Sequence, residues 1–237
     1  MAIHLEESFE ADPGYDTVGW GETAGTGCSV DEDEATVARP AGGGNQCLEL
    51  VYADTGNTAR TEWNHAATIA ETYGRIYFRC SAWLVDQHIL FAVYDAASNP
   101  ICSLRLETTG AVQKFQFLYR NNAGTQTVTS AEQYAVDTWY IFEWHYNQPG
   151  DANDTLGAKI SQENGTLIEW LLADNTALSD SSYGAWQRLR IGNASDLGSI
   201  GSIYYDLIRV NDGDGWIGAE SAQSIVPLLG GTLGGNC

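Results

Sequence analysis

Arg60 and Glu62 share one phase of the alternating segment Thr58-Ala-Arg-Thr-Glu-Trp-Asn64. Arg75, Arg79, Arg105 and Lys114 fall on the polar phases of the segments that follow, beside Tyr77, Glu143 and His145. Those four are part of a pool of only 11 Lys and Arg set against 31 Asp and Glu, so their grouping carries more information than any one of them. Guanidinium forks bind carboxylates and hydroxyls in a plane, and aromatic faces stack on sugar rings. Gathered on one surface, these nine residues predict a groove for an acidic or hydroxyl-rich glycan. The same alternation also suits a solvated one-sided sheet face with cross-strand ion pairs, Arg105 and Glu107 pairing with neighbours. Carboxylates supply a second chemistry. Val30–Ala35, Asn211–Gly215 and Asp151–Asp154 are dense in Asp, and Ca²⁺ takes six to eight oxygen ligands. Asp31, Asp33, Asp212 and Asp214 are the candidate ligands, with solvated turns as the alternative.

The elements that must position these groups are strands. Gly74–Leu84, His88–Tyr94, Ile101–Glu107, Val112–Tyr119 and Trp139–Asn147 alternate at period two between Asn, Gly, Asp, Ser and Pro breaks. Several such strands without helical periodicity predict an antiparallel two-sheet sandwich, here with all five segments in a single sheet. Ile3–Phe9, Gln46–Tyr52, Thr58–Asn64, Leu156–Gln162, Leu167–Leu171, Trp186–Ile191 and Ile200–Val210 complete it, and Asp174–Leu178 allows one helical turn. Residues 1–218 read as one domain and the Gly-rich 219–237 as a tail available for assembly contacts. Cys80 and Cys102 sit on apolar phases, which predicts buried free thiols, and the five cysteines include no Cys-x-x-Cys pair for zinc. A formal charge of −20 argues against nucleic acid and anionic membranes as partners. No apolar run is long enough to span a bilayer, so no membrane insertion is expected. The N-terminus has neither the basic nor the apolar region of an export signal.

The order of pieces resembles the concanavalin A-like, laminin-G-like jelly roll. The likeness rests on Ser-Phe-Glu with Gly-Tyr-Asp and Gly-Trp near the start, Cys-Leu-Glu-Leu, and Tyr-Gly-Arg-Ile-Tyr-Phe-Arg before His-Ile-Leu-Phe-Ala-Val-Tyr. It continues through Trp-Tyr-Ile-Phe-Glu-Trp-His-Tyr and Ile-Tyr-Tyr-Asp-Leu-Ile-Arg-Val-Asn-Asp to Gly-Trp-Ile-Gly, covering most of residues 3–218. Laminin-G-like decoration or fibre proteins of tailed bacteriophages are the most similar group. The resemblance implies an all-β, two-sheet antiparallel jelly-roll sandwich and, on its rim, a bound Ca²⁺.

Arg60-Thr61-Glu62 also resembles the Arg-Ser/Thr-Glu strand of alginate-lyase-like jelly rolls, where arginine neutralises a uronate carboxylate so that β-elimination can proceed. The likeness stops there. Trp63-Asn64 stands where that family has Leu-Arg, Gln87-His88-Ile89 is not Gln-hydrophobic-His, and no Tyr-Phe-Lys strand follows. The Glu-x-Asp-x-x-Glu strand of retaining glucanases is absent too. The expectation is therefore a non-enzymatic virion surface protein that contacts a capsid or other virion protein and its own copies, and binds cell-surface or environmental glycans. The alternatives are an extracellular carbohydrate-binding module, or a polysaccharide lyase acting on uronates through Arg60, Glu62, Tyr77 and His145.

Overall fold

The computed structural model describes residues 2–11, 15–53, 58–84, 87–107, 112–149, 153–178, 184–193, 200–213 and 215–220. Among them there is no helix. The strands are β1 (Ile3–Glu7), β2 (Trp20–Ala24), β3 (Cys28–Glu34), β4 (Cys47–Tyr52), β5 (Ala59–Ile69), β6 (Glu71–Cys80), β7 (Ile89–Asp95) and β8 (Pro100–Glu107). The chain continues through β9 (Lys114–Asn121), β10 (Gly124–Thr129), β11 (Tyr140–Asn147), β12 (Thr155–Gln162), β13 (Leu167–Ala177), β14 (Trp186–Gly192) and β15 (Gly201–Asn211). They form the expected antiparallel jelly-roll sandwich. An eight-stranded sheet runs β13-β12-β11-β6-β15-β4-β3 with β1 beside β15; a seven-stranded sheet runs β10-β9-β8-β7-β14-β5-β2.

Each inner face is the apolar phase read from the sequence. Ile76, Phe78, Phe142 and Trp144 of one sheet meet Phe91, Leu104, Phe115 and Phe117 of the other, all essentially without solvent contact. Phe91 and Phe142 join the layers at 4.6 Å between ring centroids. Tyrosines in this core find main-chain partners across it, as buried hydroxyls must. Tyr205 donates to the Leu90 carbonyl at 2.7 Å and Tyr52 to the Ala59 carbonyl at 2.7 Å. Gly74 lies opposite Trp144, and a Cβ there would fall 1.9 Å from the indole, so the tryptophan fills the space a side chain would occupy. Cys80 and Cys102 are buried free thiols, as expected, and Cys28 and Cys47 are free as well.

Near the N-terminus the buried Glu7 carboxylate accepts from the Phe9, Asp16 and Thr17 amides and from the Trp20 indole, at 2.8–3.0 Å. Tyr15 stacks on Trp20 at 5.1 Å. The Gly-Tyr-Asp and Gly-Trp pieces are thus pinned around one acidic side chain.

Three expectations need correction. The five central segments do not share a sheet: β6 and β11 belong to the eight-stranded layer, β7, β8 and β9 to the other. Alternation tells which side chains face inward but not which layer a strand joins. The acidic run from Val30 forms part of β3, at the sheet edge, where charged side chains face water and discourage pairing with another chain. The 174–177 stretch continues β13 instead of turning as a helix.

Candidate functional site

The nine predicted groove residues are divided between two surfaces. Arg75, Tyr77, Glu143 and His145 lie on the outer face of the eight-stranded sheet, where residues 215–220 cover them and leave each at most 3% exposed. Arg79 is on the same side, paired with Asp137 at 2.8 Å. None of these forms an open glycan groove, which corrects that expectation. The physical reason is the C-terminal segment: its main chain satisfies the polar groups that the alternation had marked as solvent-facing.

Arg60, Glu62, Arg105 and Lys114 instead lie on the outer face of the seven-stranded sheet, together with residues the sequence reading missed. β14 is inserted between β5 and β7, so Arg190 stands opposite both Glu62 and Ala92, and Arg188 opposite Tyr94. Glu62 accepts from Arg190 Nε at 2.6 Å, with Arg60 Nε and Arg188 Nη1 each 3.6 Å from its oxygens. Arg190 Nη1 donates to the Tyr94 hydroxyl at 2.7 Å. The guanidinium carbons of Arg188 and Arg190 lie 4.5 and 4.7 Å from the Tyr94 ring centroid, a doubly cation-stacked phenol. Three guanidiniums against one carboxylate leave a net positive centre in a chain of charge −20. With Arg105, Lys114 and Arg120, this face holds six of the 11 basic residues.

Small residues floor the row that leads away from the cluster. Glu62, Arg190, Ala92, Ser103, Leu118 and Thr127 are successive cross-strand partners from β5 to β10. At about 4.8 Å per strand the row extends roughly 24 Å, the length of several sugar residues. Beside it, Arg105 Nε donates to Gln116 at 2.8 Å, and Gln116 in turn bonds Glu107. Concavities of 320 and 130 Å³ open along it at Lys114–Gln116–Thr129 and Ser103–Leu118–Thr125. A larger one, 560 Å³, lies elsewhere, by Trp139, Tyr140 and Ile168, and its charged lining is acidic, Glu132 and Glu163. His88, in the out-of-order Gln-His-Ile triplet, is wholly buried against Tyr52, and burial pushes its imidazole down to about 3.

The calcium candidates are also rearranged. Asp31 lies within 4.8 Å of Glu34 and of Glu49 on the neighbouring β4, measured between ligand oxygens. Burial, then the adjacent Asp33, pushes the Asp31 carboxyl up to about 6. Asp33 is exposed and outside this trio, Asp212 pairs with His4 at 3.3 Å, and Asp214 is outside the described residues. Three carboxylates in reach of one point suit a hard cation with oxygen ligands.

The two antiparallel sheets in this strand order define a jelly-roll sandwich of the concanavalin A-like type. No protein-family model matches the chain, and neither does any curated protein. Solved structures do. An endo-β-1,4-glucuronan lyase from the fungus Trichoderma reesei matches with a TM-score of 0.61 at 11% identity, over 90% of this chain and 96% of the lyase. A cellulose-induced protein, Cip1, matches at 0.58 and 16% identity, over 90% and 99%. A carbohydrate esterase from the Shiga toxin-encoding bacteriophage phi24B matches at 0.57 and 15% identity, again over 90% and 99%. At these identities the likeness establishes the fold. It also overturns the expectation of a non-enzymatic module, since proteins sharing this fold include a glucuronan lyase and a carbohydrate esterase.

Proposed function

We propose that the outer face of the seven-stranded sheet binds and cleaves an acidic, uronate-containing polysaccharide. The observation that carries this reading is the cluster of Arg60, Arg188 and Arg190 around Glu62 and Tyr94 at one end of a small-residue floor. In β-elimination the proton next to the uronate carboxylate leaves, the bond to the 4-linked oxygen breaks, and a carbon–carbon double bond forms between those carbons. Charge develops on the carboxylate, where arginines lower the barrier most. In this reading Arg188 and Arg190 hold that carboxylate, Glu62 fixes the guanidiniums, and Tyr94 takes the proton and hands it to the departing 4-linked oxygen. This assignment keeps Arg60 and Glu62 from the sequence reading and replaces Tyr77 and His145 with Tyr94.

The test is incubation with a panel of polyuronates and neutral polysaccharides, followed by ultraviolet absorbance from unsaturated sugar ends. The expected result is absorbance from polyuronates alone. Tyr94→Phe should lower the rate by about 10²–10⁴ while binding persists; Arg190→Ala should weaken both. Silence across the panel, or cleavage unaffected by Tyr94→Phe, would sink the mechanism.

The resemblance to phage laminin-G-like proteins proposes a virion surface as the setting, with a capsid protein or further copies as partners and an outside glycan as substrate. One neighbouring structure being a bacteriophage carbohydrate esterase supports that setting. We further infer that a Ca²⁺ on this chain would be held by Asp31, Glu34 and Glu49.

A further inference from the structure

Residues 215–220 cross the outer face of the eight-stranded sheet without joining it as a strand. Side chains of the sheet hold their main chain. Arg75 Nη1 donates to the Gly218 carbonyl at 3.0 Å, the Gly218 amide donates to Glu143 at 2.7 Å, and the Glu220 amide donates to the Tyr77 hydroxyl at 2.8 Å. Arg75 Nη2 also pairs with the Glu220 carboxylate at 2.6 Å. Trp216 enters an aromatic slot, with Tyr73, His145 and Trp170 edge-on at 5.1–6.2 Å and Lys159 Nζ 4.5 Å from its ring. Two amides, a carbonyl, an indole and a carboxylate are thus each recognised, as a peptide is recognised by a receptor.

One imidazole ties this arrangement together. His145 is 3% exposed; its Nδ1 lies 2.8 Å from Asp174 and its Nε2 3.2 Å from Glu71. Tyr73 stacks flat on the ring at 4.0 Å. A neutral imidazole has a single N–H and can serve one carboxylate, leaving the other against a lone pair. Both contacts hold together only for the imidazolium. Asp174 is the joint, because its second oxygen accepts the Trp216 indole N–H at 3.2 Å. The charged and titratable groups around His145 are Glu71 and Tyr73 from β6, Asp174 from β13, and Lys159 from β12, which pairs with Glu143 at 3.0 Å. Burial would raise the Asp174 carboxyl, yet the hydrogen bonds from His145 and Trp216 hold it below the usual range. Gly157 makes room for the joint: a Cβ there would fall 2.8 Å from the Asp174 Cα and 3.3 Å from the Trp216 ring.

We propose that residues 215–220 are an intramolecular peptide ligand, latched by His145 bridging two carboxylates and released when His145 loses its proton. Release lets Asp174 turn from Trp216, frees Gly218 and Glu220, and opens the face bearing Arg75, Tyr77 and Glu143. This device is independent of the arginine face on the opposite sheet.

The test uses the full-length, ¹⁵N-labelled protein between about pH 5 and 8, the range in which histidine charge changes. The readouts are the Trp216 indole N–H resonance, assigned by its loss in Trp216→Phe, and the exchange protection of the Gly218 and Glu220 amides. Protection, corrected for intrinsic exchange, should fall about tenfold or more as pH rises, in one single-proton transition shared by all three signals. Asp174→Asn and His145→Gln should abolish the transition. Protection that does not change with pH, or a transition that survives both substitutions, overturns the proposal. Asp174 lies on an edge strand with its side chain 31% exposed, so its variant keeps the test usable where His145→Gln does not fold.

Discussion

Asp206 has no solvent contact, and its Oδ2 has no hydrogen-bond partner among the described residues. Burial pushes its carboxyl up to about 8, against the Leu207 amide, Arg39 and Arg75, which favour the charged form. Between the unfolded value near 3.9 and this folded value the native chain binds the extra proton, so stability falls as pH rises across that window. The cost near pH 7 is on the order of 4 kcal/mol. Asp206→Asn keeps the acceptor for Leu207 and removes the ionisation. Its urea midpoint should therefore exceed that of the wild type at pH 8 and approach it at pH 4. Equal pH profiles for the two proteins would refute this account. Nothing in Tyr-Tyr-Asp-Leu marks this acid as buried. It sits at a β15 bulge where register shifts before Arg209 and Leu207 adopts φ 48°, and the loop through Gly43 closes over it. Arg60 and Glu62, by contrast, were legible, because two residues on one phase of a strand must share a face.

At the scale of elements, pairing decides what periodicity leaves open. Arg188 and Arg190 fall on one polar phase of Trp-Gln-Arg-Leu-Arg-Ile, a signal present in the sequence. Glu62, their partner, lies 128 residues before Arg190, and no local pattern says that β14 slots between β5 and β7. The same holds for β3 and β4, whose pairing brings Glu49 to Asp31 and makes the acidic trio. Calcium at this trio predicts a higher melting temperature in excess Ca²⁺, by mass action on the folded state. Asp31→Asn should abolish that increment, and Asp212→Asn, at the β1–β15 contact, should leave it. An unchanged midpoint with Ca²⁺ in the wild type removes the site.

For the molecule as a whole, charge has two opposed effects. The −20 background repels itself, while the arginine face attracts polyanions. Raising salt from about 10 mM to about 150 mM shortens the Debye length from roughly 30 to 8 Å. Thermal stability should rise over that range while retention of polyuronates on the protein falls. Binding that is indifferent to salt would mean the guanidiniums do not carry it. By itself the sequence determined the inward and outward phase of most strands, and with them the sandwich, because burial of alternate side chains is a local property of a pleated chain. Only the tertiary structure decided which outward faces stay open. Two layers and a C-terminal segment sorted the basic residues into an accessible cluster around Tyr94 and a covered one around His145, and contacts between residues far apart in the chain leave no period to read.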